Sequence, residues 1–254
     1  MGLNRRQFLK VGGVLALGLS IAPTKSVLAG VKGKYLPNPE AKTAKNWGMV
    51  IDMDKLEQDL DACIAACHKE HNVPNIGTKK EEIKWIWTDE FNHLFPDEAH
   101  ERLSEKYGKK QFLALCNQCE NPACVRVCPT KATFKSKDGI VQMDFHRCVG
   151  CRYCMAACPY GARSFNFRDP RPYIEEINPE YPTRTIGVPE KCNFCAERLA
   201  KGQIPACVEA SKNGGIVFGD LDDPNSEISK ILSSERTIQR RANLGTKPKV
   251  FYIV

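Results

Sequence analysis

Residues 47–53 (WGMVIDM) alternate closely enough between apolar and polar side chains to predict a strand. Asp54 follows with Glu57 three residues on, a capping pattern that predicts a helix to about His71. Residues 75–110 keep no single period. They are rich in charge and in aromatics (Trp85, Trp87, Phe91, Phe95) and read as an insertion, with Pro96 and Asp97 opening a helix through Tyr107. ATFKSKDGIVQMD at 132–144 predicts a hairpin turning at Asp138-Gly139, and GGIVFGD at 214–220 repeats that shape weakly. The proline-rich stretch 169–184 reads as a surface loop, 226–235 (SEISKILSSE) as a short helix and 249–254 (KVFYIV) as a closing strand.

The N-terminus follows another logic. Arg5 and Arg6 precede an apolar run from Val11 to Ala22, which ends near Val27-Leu28-Ala29. A run of about 12 residues is too short for an ordinary spanning helix, which needs about 20. RRQFLK resembles a twin-arginine export signal. The expectation is a signal segment over 1–29, cleaved after Ala29 or retained as an anchor. An exposed linker at 30–46 and the body of the protein at 47–254 follow. A short basic amphipathic helix is the plainer alternative for 1–29. Arg5, Arg6, Lys10 and Lys25 lie in that segment with no acid, so the formal charge of +7 falls to +3 without it. No basic run is interleaved with aromatics, which sets nucleic acid aside.

The chemistry lies in 13 cysteines, all between positions 63 and 207. An odd, clustered set points to metal rather than to a disulfide scaffold. CVGCRYCMAACP (148–159) is a complete C-x2-C-x2-C-x3-C-P run, the bacterial ferredoxin pattern for a [4Fe–4S] cluster. Three closely spaced thiolates take three corners of one cube, and the fourth reaches a second cube. Soft, deprotonated sulfur suits iron–sulfur clusters. A zinc ribbon prefers two separated C-x2-C pairs and needs neither the third cysteine nor the proline. CNQCENPACVRVCP (116–129) is a variant run. With fourth ligands exchanged, Cys116, Cys119 and Cys124 take Cys158, while Cys148, Cys151 and Cys154 take Cys128.

A third half-run, Cys192, Cys195 and Cys207, has Ser211 where its fourth cysteine would stand. Upstream, Cys63 and Cys67 overlay the third and fourth places of the complete run, with Glu57 and Leu60 at the first and second. The exchange rule then gives one complete set, Cys192, Cys195, Cys207 and Cys67. It gives one ruined set: Glu57, Leu60, Cys63 and Ser211. Twelve cysteines hold three clusters and Cys63 is left over, a small apolar residue on a helix. Arg147, Arg152 and Arg163 lie near the cluster loops. They are candidates for raising cluster potentials by their charge, or are solvated surface residues.

CRYCMAACPYGAR, CNFCAERLAKGQIPACVEA, VFGDLDD and the closing LGTKPKVFYI together resemble the ferredoxin-type electron-transfer subunits of membrane oxidoreductases, among them those of dimethyl sulfoxide reductase, polysulfide reductase and nitrite-reductase-associated complexes. The likeness covers roughly 47–254. It implies an α+β, loop-rich fold of two pseudosymmetric bacterial-ferredoxin-like halves with insertions, built around iron–sulfur clusters. An exported member with three clusters is most similar to the DsrO type of the DsrMKJOP complex of sulfur-metabolising microbes. The resemblance implies an NrfD-like integral membrane subunit that handles quinone and a multihaem cytochrome c as partners. It implies a place on the extracytoplasmic, periplasmic face of the membrane. The chain has no C-x-x-C-H and attaches no c-type haem of its own. No nucleophile–base pair or phosphate loop marks it as the site of chemistry. Three alternatives compete with the DsrO type: a beta subunit of a polysulfide- or dimethyl-sulfoxide-reductase-type molybdoenzyme, a zinc-holding structural module, and an enzyme that reduces a small sulfur compound at the vacant fourth site with Cys63 as reactive thiol.

Overall fold

In the computed structural model, residues 38–99 and 101–254 are described, and Glu40–Val254 forms one compact unit. The signal segment expected over 1–29, and residues 30–37 of the linker, lie outside the described residues.

The structure is mixed, with short helices and small sheets. In chain order the strands are β1 (Trp47–Asp52), β2 (Ile86–Glu90), β3 (Gln111–Leu115), β4 (Thr133–Lys135), β5 (Val141–Met143), β6 (Ser164–Phe165), β7 (Pro189–Glu190), β8 (Ile216–Asp220), β9 (Thr237–Ile238) and β10 (Val250–Ile253). The largest sheet has the order β8-β1-β10-β9. β1 pairs antiparallel with β8 (Met49 opposite Phe218) and parallel with the closing strand β10 (Met49 opposite Val250). That central place explains why β1 is buried along Trp47–Ile51 rather than only on alternate residues. The stretch at 214–220 is therefore a sheet strand and not a second hairpin.

The helix expected from Asp54 to His71 is two helices. Asp52, not Asp54, caps the first (Met53–Leu56), accepting from the N–H groups of Asp54 and Lys55 at 3.1 and 3.2 Å. The chain turns at residues 57–59 and resumes as Leu60–Glu70, which carries Cys63 and Cys67. Cross-chain bonding decides this break: Asp59 Oδ2 accepts from Asn213 N–H at 2.9 Å, and Asp52 N–H donates to Gly215 O at 2.8 Å. At Gly215 a Cβ would meet the Leu56 backbone at 2.7 Å, so only glycine permits this approach.

The aromatic stretch 75–110 supplies core. β2 pairs with β3, and Phe91, Phe95, Phe112 and Tyr252 pack with ring centroids 5.0–6.2 Å apart. The helix expected from Pro96 begins at Glu101. The hairpin at 132–144 forms as β4–β5, with Gly139 at φ 82° in its turn. Ser226 caps the helix Glu227–Ser234. Residues 169–184 run over the surface, although Tyr181 and Arg184 turn inward and are buried. No helix among the described residues is long and apolar enough to cross a membrane.

Candidate metal centres

The loops that carry the cysteines share one backbone device. The second residue inside the first C-x2-C pair of each run is left-handed: Gln118 at φ 44°, Gly150 at 68° and Phe194 at 55°. In two of the three the turn aims that residue's N–H back at the first thiol. Gly150 N–H donates to Cys148 Sγ at 3.4 Å and Phe194 N–H to Cys192 Sγ at 3.5 Å. Gly150 is also pressed close to its neighbour, since a Cβ would lie 2.6 Å from Gly187 O. A second turn recurs three residues after Cys128, Cys158 and Ser211, at Lys131 (φ 55°), Gly161 (61°) and Gly214 (66°). The half-run ending in Ser211 keeps this turn though it lacks the thiol.

The twelve expected ligands gather in three sets. Cys116, Cys119, Cys124 and Cys158 line one cavity, together with Arg163 and Lys191. Cys128, Cys148, Cys151 and Cys154 line another, beside Met143 and Pro189. Cys67 is brought against Cys192, Cys195 and Cys207 as the helix Leu60–Glu70 packs on the helix Ala206–Ala210. All four thiols of this third set are buried. In each set the fourth cysteine comes from a different run than the first three.

All four thiols of the third set, with Cys119, Cys154 and Cys158, oppose deprotonation unless a cation joins them. Burial and then the charges of Cys192, Cys195 and Cys207 push Cys67 well above its ordinary value. Burial and the charge of Cys116 push Cys119 and Cys192 each to about 12. Four buried sulfurs that repel one another as thiolates are a donor set for a soft metal group, which holds coordinated thiols deprotonated outright. Cys128 differs: burial works against its thiolate, yet N–H donors led by Thr133, 3.4 Å from its Sγ, bring it below the ordinary value. The donor chemistry, burial and inward N–H groups fit iron–sulfur clusters.

The ruined set is engaged elsewhere. Glu57 is exposed and pairs with Lys110 at 3.3 Å. Leu60 packs on the core. Ser211 Oγ accepts from Gly215 N–H at 3.0 Å. Cys63 is wholly buried, its thiol donates to Cys207 O at 3.2 Å, and burial with the Asp59 charge raises it to about 12. That is the opposite of a reactive thiol. Cys63→Ala is expected to leave the iron content unchanged and to cost about 1 kcal/mol, as for one methyl-sized deletion. An iron assay with a thermal melt checks both.

Sequence reasoning missed the burial of charged groups here. Arg147 is exposed and paired with Asp144, and Arg152 is exposed over Phe165 and Phe167, whereas Arg163 is buried. His71 also escaped notice. Its Nε2 lies 2.6 Å from Glu197 Oε1 and its Nδ1 2.9 Å from Cys67 O, so both ring nitrogens face oxygen atoms beside the third set. No spacing rule signals such contacts.

Residues 110–170 match the family of the 4Fe-4S dicluster domain. The chain is 43% identical to the Hdr-like menaquinol oxidoreductase iron-sulfur subunit 1 of Archaeoglobus fulgidus, over 98% of this chain and 97% of that protein. It is 39% identical to the B subunit of polysulfide reductase from Wolinella succinogenes, over 83% and 95%. It is 35% identical to NrfC of Escherichia coli, over 100% and 96%. Likeness of this length, on a chain whose cysteines gather as described, identifies its kind: the chain belongs to the family of ferredoxin-type iron–sulfur electron-transfer subunits to which these three proteins belong.

Proposed function

We propose that the chain is a three-cluster wire. Its ligand sets are Cys116, Cys119, Cys124 and Cys158; Cys148, Cys151, Cys154 and Cys128; and Cys192, Cys195, Cys207 and Cys67. When bound, each [4Fe–4S] group takes up and gives back one electron with little change of shape. The protein's share is to hold the thiolates at fixed corners, aim N–H groups at sulfur and exclude water, most fully at the third set, whose four thiols are buried, and least at Cys151, which is exposed. The observation that carries the reading is Cys67. It stands far upstream of Cys192 and yet lies buried against the half-run that lacks a fourth thiol. The recurring left-handed turns after Cys128, Cys158 and Ser211 support two pseudosymmetric ferredoxin-like halves, one of which has lost a cluster.

The wire runs between an NrfD-like quinone-interacting membrane subunit and a redox partner such as a multihaem cytochrome c, in a complex of the DsrMKJOP type serving sulfur metabolism. The chain reaches the periplasmic face through the twin-arginine route. The long match to an Hdr-like menaquinol oxidoreductase subunit favours this arrangement. The match to the polysulfide reductase B subunit supports the second reading, a beta subunit beside a molybdenum enzyme. Iron and sulfide analysis of the intact protein, with electron paramagnetic resonance after reduction, tests the wire. About twelve irons per chain and no zinc is expected. About sixteen would mean that Glu57 or Ser211 ligates, and zinc in place of iron would end the proposal.

A further inference from the structure

The Cys116 set adjoins both of the others, with Cys116 beside Cys192 and Cys124 beside Cys154. Gln118, inside the Cys116–Cys119 loop, donates from Nε2 to Cys192 O at 2.8 Å and so ties this set to the third. On the other side Arg163 lines the Cys116 cavity and points Nη1 at Met143 Sδ, 3.7 Å away, while Met143 lines the cavity of the Cys148 set.

Charge is not shared evenly among the three sets. At the third set the His71 ring is held by the Glu197 carboxylate, and Arg198 pairs with Glu70 and Glu209. At the Cys148 set Arg147 and Arg152 are exposed to water, which screens them, and the buried Arg163, which also faces the middle set, reaches Cys154. Around the middle set the cations are buried and lack counter-ions. Arg163 is 5% exposed, and its Nη2 has no hydrogen-bond partner. Lys191 is 4% exposed, donates to the backbone carbonyls of Val141 and Cys192, and its charge also reaches the Cys192 thiol of the third set, so the middle cavity is the one that both cations line. Among the described residues neither forms an ion pair with a carboxylate, unlike the equally buried Arg184 with Glu190. A buried unpaired cation is costly unless something anionic meets it. The thiols of Cys124, Cys154 and Cys116 are what face Arg163, and they hold its charge more firmly than water would. N–H donors to sulfur do not explain the asymmetry, since the outer sets receive them too.

We propose that Arg163 and Lys191 make the middle site, that of Cys116, Cys119, Cys124 and Cys158, the electron well of the chain. It has the highest potential of the three and takes the first electron. Nearby positive charge favours the reduced, more negative state of a cluster. Electrons entering from either end collect at the centre and leave by climbing out, so the profile along the wire is a dip rather than a slope. The inference rests on the three-cluster reading.

The test is a redox titration of the iron-loaded full-length protein, followed by electron paramagnetic resonance, with iron measured on the same samples. Arg163→Gln and Lys191→Gln should each lower one and the same component the most, the first to be reduced in the unaltered protein. Arg163→Lys keeps the charge and should keep the potential. The proposal is overturned if the two glutamine variants move different components the most or move none, or if Arg163→Lys falls as far as Arg163→Gln. If Arg163→Gln does not assemble, Lys191→Gln carries the test alone: lowering of the first-reduced component supports the well, and an unmoved component ends it. An iron content far from twelve in the unaltered protein would instead overturn the cluster reading, whatever the potentials do.

Discussion

Cys154→Ser is expected to lose at least four irons of about twelve per chain and to cut sharply the yield of folded protein. Cys154 is buried among Cys128, Cys148 and Cys151, and the elements around it cannot hold that region alone. β4 and β5 are three residues each, and β6 and β7 two. The loop between β5 and β6 buries Cys154 and, of its large side chains, little besides Tyr160 and Arg163. A metal group that binds only the folded arrangement supplies folding free energy directly, so its loss is also a loss of fold. Serine keeps the size but offers a hydroxyl far less acidic than a thiol. Iron analysis, the resonance spectrum and soluble yield are the readouts, with Cys63→Ala beside it as the contrasting buried cysteine. If the two variants behave alike, the ligand sets drawn here are wrong.

Arg184→Met is expected to destabilise the iron-loaded protein by about 3–5 kcal/mol, because it strands a buried carboxylate. Arg184 Nε donates to Glu190 Oε2 at 2.9 Å, and both side chains are essentially inaccessible. Trp85 Nε1 donates to the same oxygen at 2.8 Å and Asn166 Nδ2 to the other at 2.7 Å. The Arg184 guanidinium also donates to His71 O and lies over the Tyr181 ring at 4.7 Å. This network joins the strand just before Cys192 to the end of the helix that carries Cys67. The midpoint of thermal unfolding should fall by roughly 10 °C. Iron should be lost first from the third set, which a slow chelator challenge reads as a fast phase of about four irons. The double variant Arg184→Met, Glu190→Gln should recover part of the stability, since no charge is then left unpaired. A single variant that melts normally would show the network to be dispensable.

The sequence made legible whatever is written in local spacing. The run at Cys148–Cys158 speaks for itself, the hairpin turns at Asp138-Gly139, and Ser226 caps its helix as its position implies. The gathering of Cys67 with Cys192, Cys195 and Cys207 was legible because the exchange of fourth ligands is a rule that spans distance. Other features had no such rule. β2 and β3 pair across an intervening helical segment, so an aromatic-rich stretch read as insertion becomes core. Asp52 rather than Asp54 caps the first helix because β1 ends where Gly215 admits it, a fact about residues far away in the chain. Arg163 and Arg147 look alike in sequence; only the cavity tells which one is buried.

The reach from Cys67 to Cys207 also imposes a timetable. Cys67 leaves the ribosome ~140 residues before Cys207, a wait of about 7–28 s at ordinary rates of synthesis. Through that interval the helix end bearing Cys67 has no partner to bury its sulfur. The two runs at 116–158 are complete much sooner. If the proposed ligand sets are right, the two sites built from 116–158 can therefore load before the one that needs both Cys67 and Cys207.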